Sequence, residues 1–162
     1  MAIIYKDKRL PHINLDAYRT EFERDFFMVV NLIRENPISF QSYVENFVKG
    51  DKFTGQMQAA NTLIRRFKSL PKLDPITPHN AANSACYVNL SKNESDVSNI
   101  SGNAITELKL TDAQVVINFK CFDTYKKNWV GTALELVLTL LLSFYERMAD
   151  SEFHTLMEPN LK

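Results

Sequence analysis

The amino-acid sequence predicts an α+β fold, predominantly helical with a small sheet. Apolar residues recur at helical spacing in several successive stretches of the first half, and within the stretch 132–148 Leu or Val fills seven of the nine positions 134–142. β-Branched and aromatic residues gather at strand length in only two places, 106–110 and 115–122. A chain of 162 residues, 45% hydrophobic and 11% aromatic, suffices for one core and is short for two. No internal repeat, low-complexity tract or linker divides it, so the expected organisation is an N-terminal arm over 1–15 and a single domain over 16–162.

Residues 1–14 show no sustained period and include Pro11, which marks an arm that is ordered only against another surface. Asp16 is placed to cap a helix in which Phe22, Phe26, Val29, Val30 and Ile33 form one apolar stripe, until Asn36-Pro37 stops it. Pro37 suits the first turn of a second helix, whose Phe40, Tyr43, Val44, Phe47 and Val48 run to Gly50, expected as a left-handed cap. Beyond a turn over 49–55, Ala59, Ala60, Leu63, Ile64 and Phe67 mark a third helix. It carries Arg65, Arg66 and Lys68 near its end, where cations favour the dipole, and Leu70-Pro71 closes it.

Pro71 and Pro75 keep 71–75 extended, and Thr77-Pro78 has the cap-plus-proline signature of a fourth helix, rich in small residues at Ala81, Ala82, Ala85 and Cys86. The polar, turn-forming run 91–102 reads as a loop, and the two strands follow. The helix over 132–148 is then expected to be buried on most sides, at the centre of the core.

Charge narrows the function classes. With 19 basic and 19 acidic residues the net charge is zero, which provides no polycation for nucleic acid and no basic cluster for anionic lipid. A short apolar start, Met1 to Tyr5, and then Lys6-Asp7-Lys8-Arg9 supply no apolar export signal, and the apolar stretch 133–145 is interrupted by Glu135 and Thr139. That stretch is also shorter than the roughly 20 residues needed to cross a bilayer, so the expectation is a soluble, cytoplasmic chain. Cys86 and Cys121 are then expected to be reduced, and the glycosylation-like triplets at Asn89, Asn93 and Asn99 to be a polar loop.

The chemistry-bearing residues are few. His12, His79 and His154 form no metal-ligand pair at helical spacing, so no metal is expected. Four glycines, at 50, 55, 102 and 131, make no phosphate-cradling loop, and no cofactor is expected. Glu135 is a carboxylate in an apolar setting, the environment of an acid or base, but its place in a first helical turn is one the dipole favours for any Glu. No catalytic residue is assigned. The cluster Arg65-Arg66-Phe67-Lys68 reads as a solvated contact face, and Tyr125-Lys126-Lys127-Asn128-Trp129 as an exposed loop. Arg65, Arg66, Tyr125 and Trp129 are therefore the candidate partner contacts, with Trp129 as anchor.

Read in order, Val30-Asn31-Leu32-Ile33-Arg34-Glu35-Asn36-Pro37, Phe40 and Tyr43, Leu70-Pro71-Lys72-Leu73, and Ala81-Ala82-Asn83-Ser84-Ala85 resemble the CAP superfamily of cysteine-rich secretory, sperm-coating-protein-like domains, in its protist and bacterial branch. Ala133-Leu134-Glu135-Leu136-Val137-Leu138 and the segment from His154 to Pro159-Asn160 are similar to that family's last core helix and its His-containing segment. The resemblance spans 21–162, weakly over 91–128. It implies an α-β-α sandwich that binds sterols, other lipids or proteins, here a truncated CAP-like form with a curtailed sheet.

Many members carry a cleft of two histidines and two acidic residues, and the resemblance implies its loss in this chain. The first histidine would fall near Ala85, the acidic residue has no counterpart around 115–119, the chain ends where the final strands begin, and His154 matches a helix-end histidine. The expectation is a non-catalytic intracellular structural or interaction protein, a CAP-like subunit of a large cytoskeletal or ciliary assembly, bound to tubulin or filament-associated proteins. The alternative is a lipid- or sterol-binding module on a membrane. A hydrolase, third, needs His154 and Glu135 to converge.

Overall fold

A computed structural model describes the backbone of residues 2–11, 18, 20–50, 57–78, 131–147 and 157, and the side chains of all of these except 143–147. The chain divides into two compact units, one of Met1–Leu15, Arg19–Thr77 and Gly131–Lys162, the other of Asp16–Tyr18 and Pro78–Val130. All described residues but Tyr18 and Pro78 belong to the first unit. They are mostly helical, and no strand occurs among them: α1 is Ala2–Asp7, α2 Glu21–Glu35, a 3-10 turn follows over Pro37–Phe40, α3 is Gln41–Lys49, α4 Met57–Ser69 and α5 Ala133–Arg147. The expected fourth helix from Thr77-Pro78, the loop 91–102 and the strands 106–110 and 115–122 lie outside the described residues.

The arm begins with a helix that its sequence pattern does not announce. Six residues are too few to hold a helix by backbone bonds alone, and α1 is held by one buried side chain, Tyr5, packed toward α2. The arm thus finds its ordering surface within its own chain.

α2 starts at Thr20, and Asp16, the expected cap, lies outside the described residues. Thr20 Oγ1 accepts from the Glu23 amide and Glu23 Oε2 accepts from the Thr20 amide, both at 3.2 Å, so two orphan donors of the first turn are satisfied reciprocally. The buried side of α2 also differs from the expected stripe. Phe22 is exposed and Phe26 half-buried, whereas every residue from Met28 to Arg34 is buried. The C-terminal half of α2 is enclosed because α5 packs along it and the chain after α4 returns to it.

The turn at Pro37 buries Phe40 and leads into α3, where Val44 and Val48 face inward and Tyr43 stays partly exposed against the Phe40 ring, centroids 5.3 Å apart. Gly50 is not the left-handed cap expected of it: at φ −70° and ψ 150° its backbone is extended, and the helix closes by its amide donating to the Phe47 carbonyl at 3.3 Å. α4 buries the predicted Ala59, Ala60, Leu63, Ile64 and Phe67. α5 buries Ala133, Val137, Leu138, Leu140, Leu141 and Leu142 together with Thr139, whose hydroxyl donates to the Glu135 carbonyl at 2.7 Å. It packs against α2, α3 and α4, the central position that its composition predicts. Each fully buried Val or Leu contributes about 1.5–3 kcal/mol relative to exposure, so α5, α4 and the second half of α2 carry most of the apolar burial among the described residues.

Candidate functional site

Most of the buried polar chemistry of the described residues lies on one face of α2. Asn31 and Arg34 stand three apart, hence on the same side of the helix, and neither exposes any surface. They meet the segment that leaves α4. Residues 70–78 form no helix, as Pro71, Pro75 and Pro78 dictate, so their backbone groups must find partners elsewhere. α2 supplies these. The Leu73 amide donates to the Arg34 carbonyl at 2.8 Å, and Arg34 Nε donates to the Asp74 carbonyl at 2.8 Å. Asn31 Oδ1 accepts from the Ile76 amide at 2.8 Å while its Nδ2 donates to the Ile76 carbonyl at 2.9 Å. At the rim, Lys72 Nζ lies 2.6 Å from Glu35 Oε2, with the lysine largely in solvent.

The same amide reaches the arm. Asn31 Nδ2 also donates to Tyr5 Oη at 3.2 Å, and the Tyr5 hydroxyl donates in turn to the Pro11 carbonyl at 3.0 Å. Burial pushes the Tyr5 phenol above its ordinary range, partly offset by the hydrogen bond from Asn31. The result is a polar knot that ties arm, helix and returning segment together, with these donors and acceptors committed to partners within the chain. It offers binding rigidity and no reacting group.

Of the candidate contacts, Arg65 is exposed on α4, where its Nη2 donates to Thr62 Oγ1 at 3.0 Å, and Arg66 beside it is half-buried. Lys68, also exposed, extends the cationic end of this helix. Tyr125 and Trp129 lie outside the described residues, as do His12, His79, His154, Cys86 and Cys121. Glu135 Oε2 accepts from the Thr132 amide at 2.6 Å and from its hydroxyl at 3.0 Å, while the Glu135 amide donates back to Thr132 Oγ1 at 3.2 Å. The carboxylate with the best claim to acid–base chemistry is thus the second half of a capping box. Among the described residues no group of three or more His, Cys, Asp or Glu could hold a metal ion, and no helix is long and apolar enough to cross a membrane.

Sequence reasoning quoted Asn31 and Arg34 only as parts of a motif and passed over Tyr5. The signal was present for the first two: each is a polar residue in an otherwise apolar helical run, and a polar group buried there requires a partner. Compared with known proteins, the chain matches no family model, no curated protein and no solved structure.

Proposed function

We propose that this chain is a CAP-like α-β-α sandwich with a small sheet, acting as a non-catalytic subunit of a large intracellular protein assembly, cytoskeletal or ciliary in kind. The polar knot is the observation that supports this reading. It joins two blocks of the resemblance, Asn31 to Pro37 and Leu70 to Leu73, and it commits Asn31 and Arg34 to holding the fold. Glu135 is occupied likewise, as a cap. What remains available among the described residues is surface, and the cationic end of α4, with Arg65 and Lys68 exposed, fits an acidic protein face such as a tubulin filament.

Co-sedimentation of the purified chain with polymerised tubulin tests the proposal, alongside flotation with sterol-containing vesicles. The expected result is pelleting that weakens as salt rises and falls severalfold in the double variant Arg65→Glu, Lys68→Glu. Flotation with vesicles and no pelleting would overturn it in favour of a lipid-binding module. Failure of both would remove the cytoskeletal assignment.

A further inference from the structure

We infer that α1 is a strap that opens on its own while the core stays folded, fastened by Tyr5 and hinged at Arg9. Six residues do not sustain a helix in water without tertiary support, for which roughly 12–15 are needed, so α1 stays closed only by what it docks. It docks very little. Ile3 is 79% exposed and Ile4 45%, and of residues 2–9 only Tyr5 is buried. Both hydrogen bonds of that phenol serve closure: the one from Asn31 holds α1 to α2, and the one to Pro11 holds the strap to the chain that follows it.

The hinge is strained. Arg9 has φ 52°, in the left-handed region where a side chain meets the following carbonyl, at about 1 kcal/mol or more. Its amide donates to the Lys6 carbonyl at 3.1 Å, which ends α1 by a tight turn. Opening releases this strain. Asn31, by contrast, keeps both of its amide atoms on Ile76 when Tyr5 departs, so the knot between α2 and the returning segment survives. Strap and knot are separate cooperative units that share one side chain, and opening brings to the surface the Asn31 N–H that Tyr5 covers.

Hydrogen exchange of the full chain, resolved by residue, tests this at three amides: Lys8, bonded to the Ile4 carbonyl in the strap, and Leu73 and Ile76, bonded to α2. Lys8 should exchange at least a hundredfold faster than Leu73 and Ile76, on the order of the gap between local and global opening. Tyr5→Phe removes both fastening bonds and should speed Lys8 by about tenfold, with Leu73 and Ile76 speeded by no more than that, since global unfolding opens the strap as well. Arg9→Gly relieves the hinge and should slow Lys8 by about fivefold. Equal exchange of the three amides in the wild-type chain would place α1 in the core's own cooperative unit, a Tyr5→Phe variant whose Lys8 exchanges no faster would show that Tyr5 does not fasten it, and either result would overturn the inference.

Discussion

Asn31 and Ile76 pair as neighbours in a sheet pair, although only Ile76 contributes backbone: the side-chain amide of Asn31 accepts from its N–H at 2.8 Å and donates to its C=O at 2.9 Å. No other side chain of this size presents a donor and an acceptor at that spacing on so short a stem. Asn31→Ala leaves both backbone groups of Ile76 without these partners and opens a void beneath Tyr5. A loss of about 3 kcal/mol is expected, read from the midpoint of urea unfolding at unchanged slope.

Arg34 acts beside it through a guanidinium that is wholly buried and donates from Nε to the Asp74 carbonyl. Lysine has no planar fork and carries its charge at a single point, so Arg34→Lys is not conservative at this position. It should destabilise by about 2 kcal/mol in the same measurement. Lys72→Ala, which removes only a rim pair with the lysine in solvent, should stay within about 0.5 kcal/mol. Equal losses for the two variants would contradict this ordering.

Tyr5 makes stability depend on alkaline pH. Its folded phenol titrates above the ordinary value of 10.0 because burial disfavours the phenolate. The unfolded chain therefore gives up this proton first as pH rises. The contribution of Tyr5 is whole below pH 10 and is lost as pH climbs from there through the folded value. Unfolding followed at pH 9 and at successively higher pH should show a steeper decline for wild type than for Tyr5→Phe, and parallel declines would refute the assignment. The difference between the two chains isolates Tyr5 from the other tyrosines.

Two capping boxes of the same Thr-x-x-Glu form begin α2 and α5. Thr20→Ala and Thr132→Ala should each cost about 1 kcal/mol, and the serine replacements much less, since Ser retains the accepting oxygen. Thermal unfolding of the four variants checks this as a downward shift of several degrees for alanine alone.

Helices α3 and α4 were legible because each buries a stripe that recurs with the helical period, as at Leu63, Ile64 and Phe67, whereas α2 showed such a stripe in its sequence although burial encloses its whole C-terminal half, and α5 showed itself by its dense apolar composition. Both capping boxes were equally legible as spacing, yet Asp16 drew attention from Thr20 because either residue type can start a helix. α1 was not legible, since its formation depends on Tyr5 meeting Asn31, a contact between residues 26 apart with no local trace. Gly50 misled for a related reason: glycine permits the left-handed region without requiring it, and the chain leaves α3 extended instead. Of the candidate contacts, Arg65 and Arg66 sit on α4 as expected, while Tyr125 and Trp129 fall outside the described residues. The burial of Asn31 and Arg34 was signalled by their place in an apolar run, but their partners, 45 and 40 positions away, were not.

Those separations have a topological consequence. The hydrogen bonds from α2 to residues 74 and 76 close a loop that contains α3 and α4, as a cross-link would, but reversibly. The chain entropy of such a closure grows only with the logarithm of its length, so doubling the loop costs about 0.6 kcal/mol. The stretch between α3 and α4 can therefore lengthen between variants of this protein with little penalty. The three-residue spacing of Asn31 and Arg34 on their helix is matched to the reach of Asp74 and Ile76, and a single inserted residue there turns one of the two away.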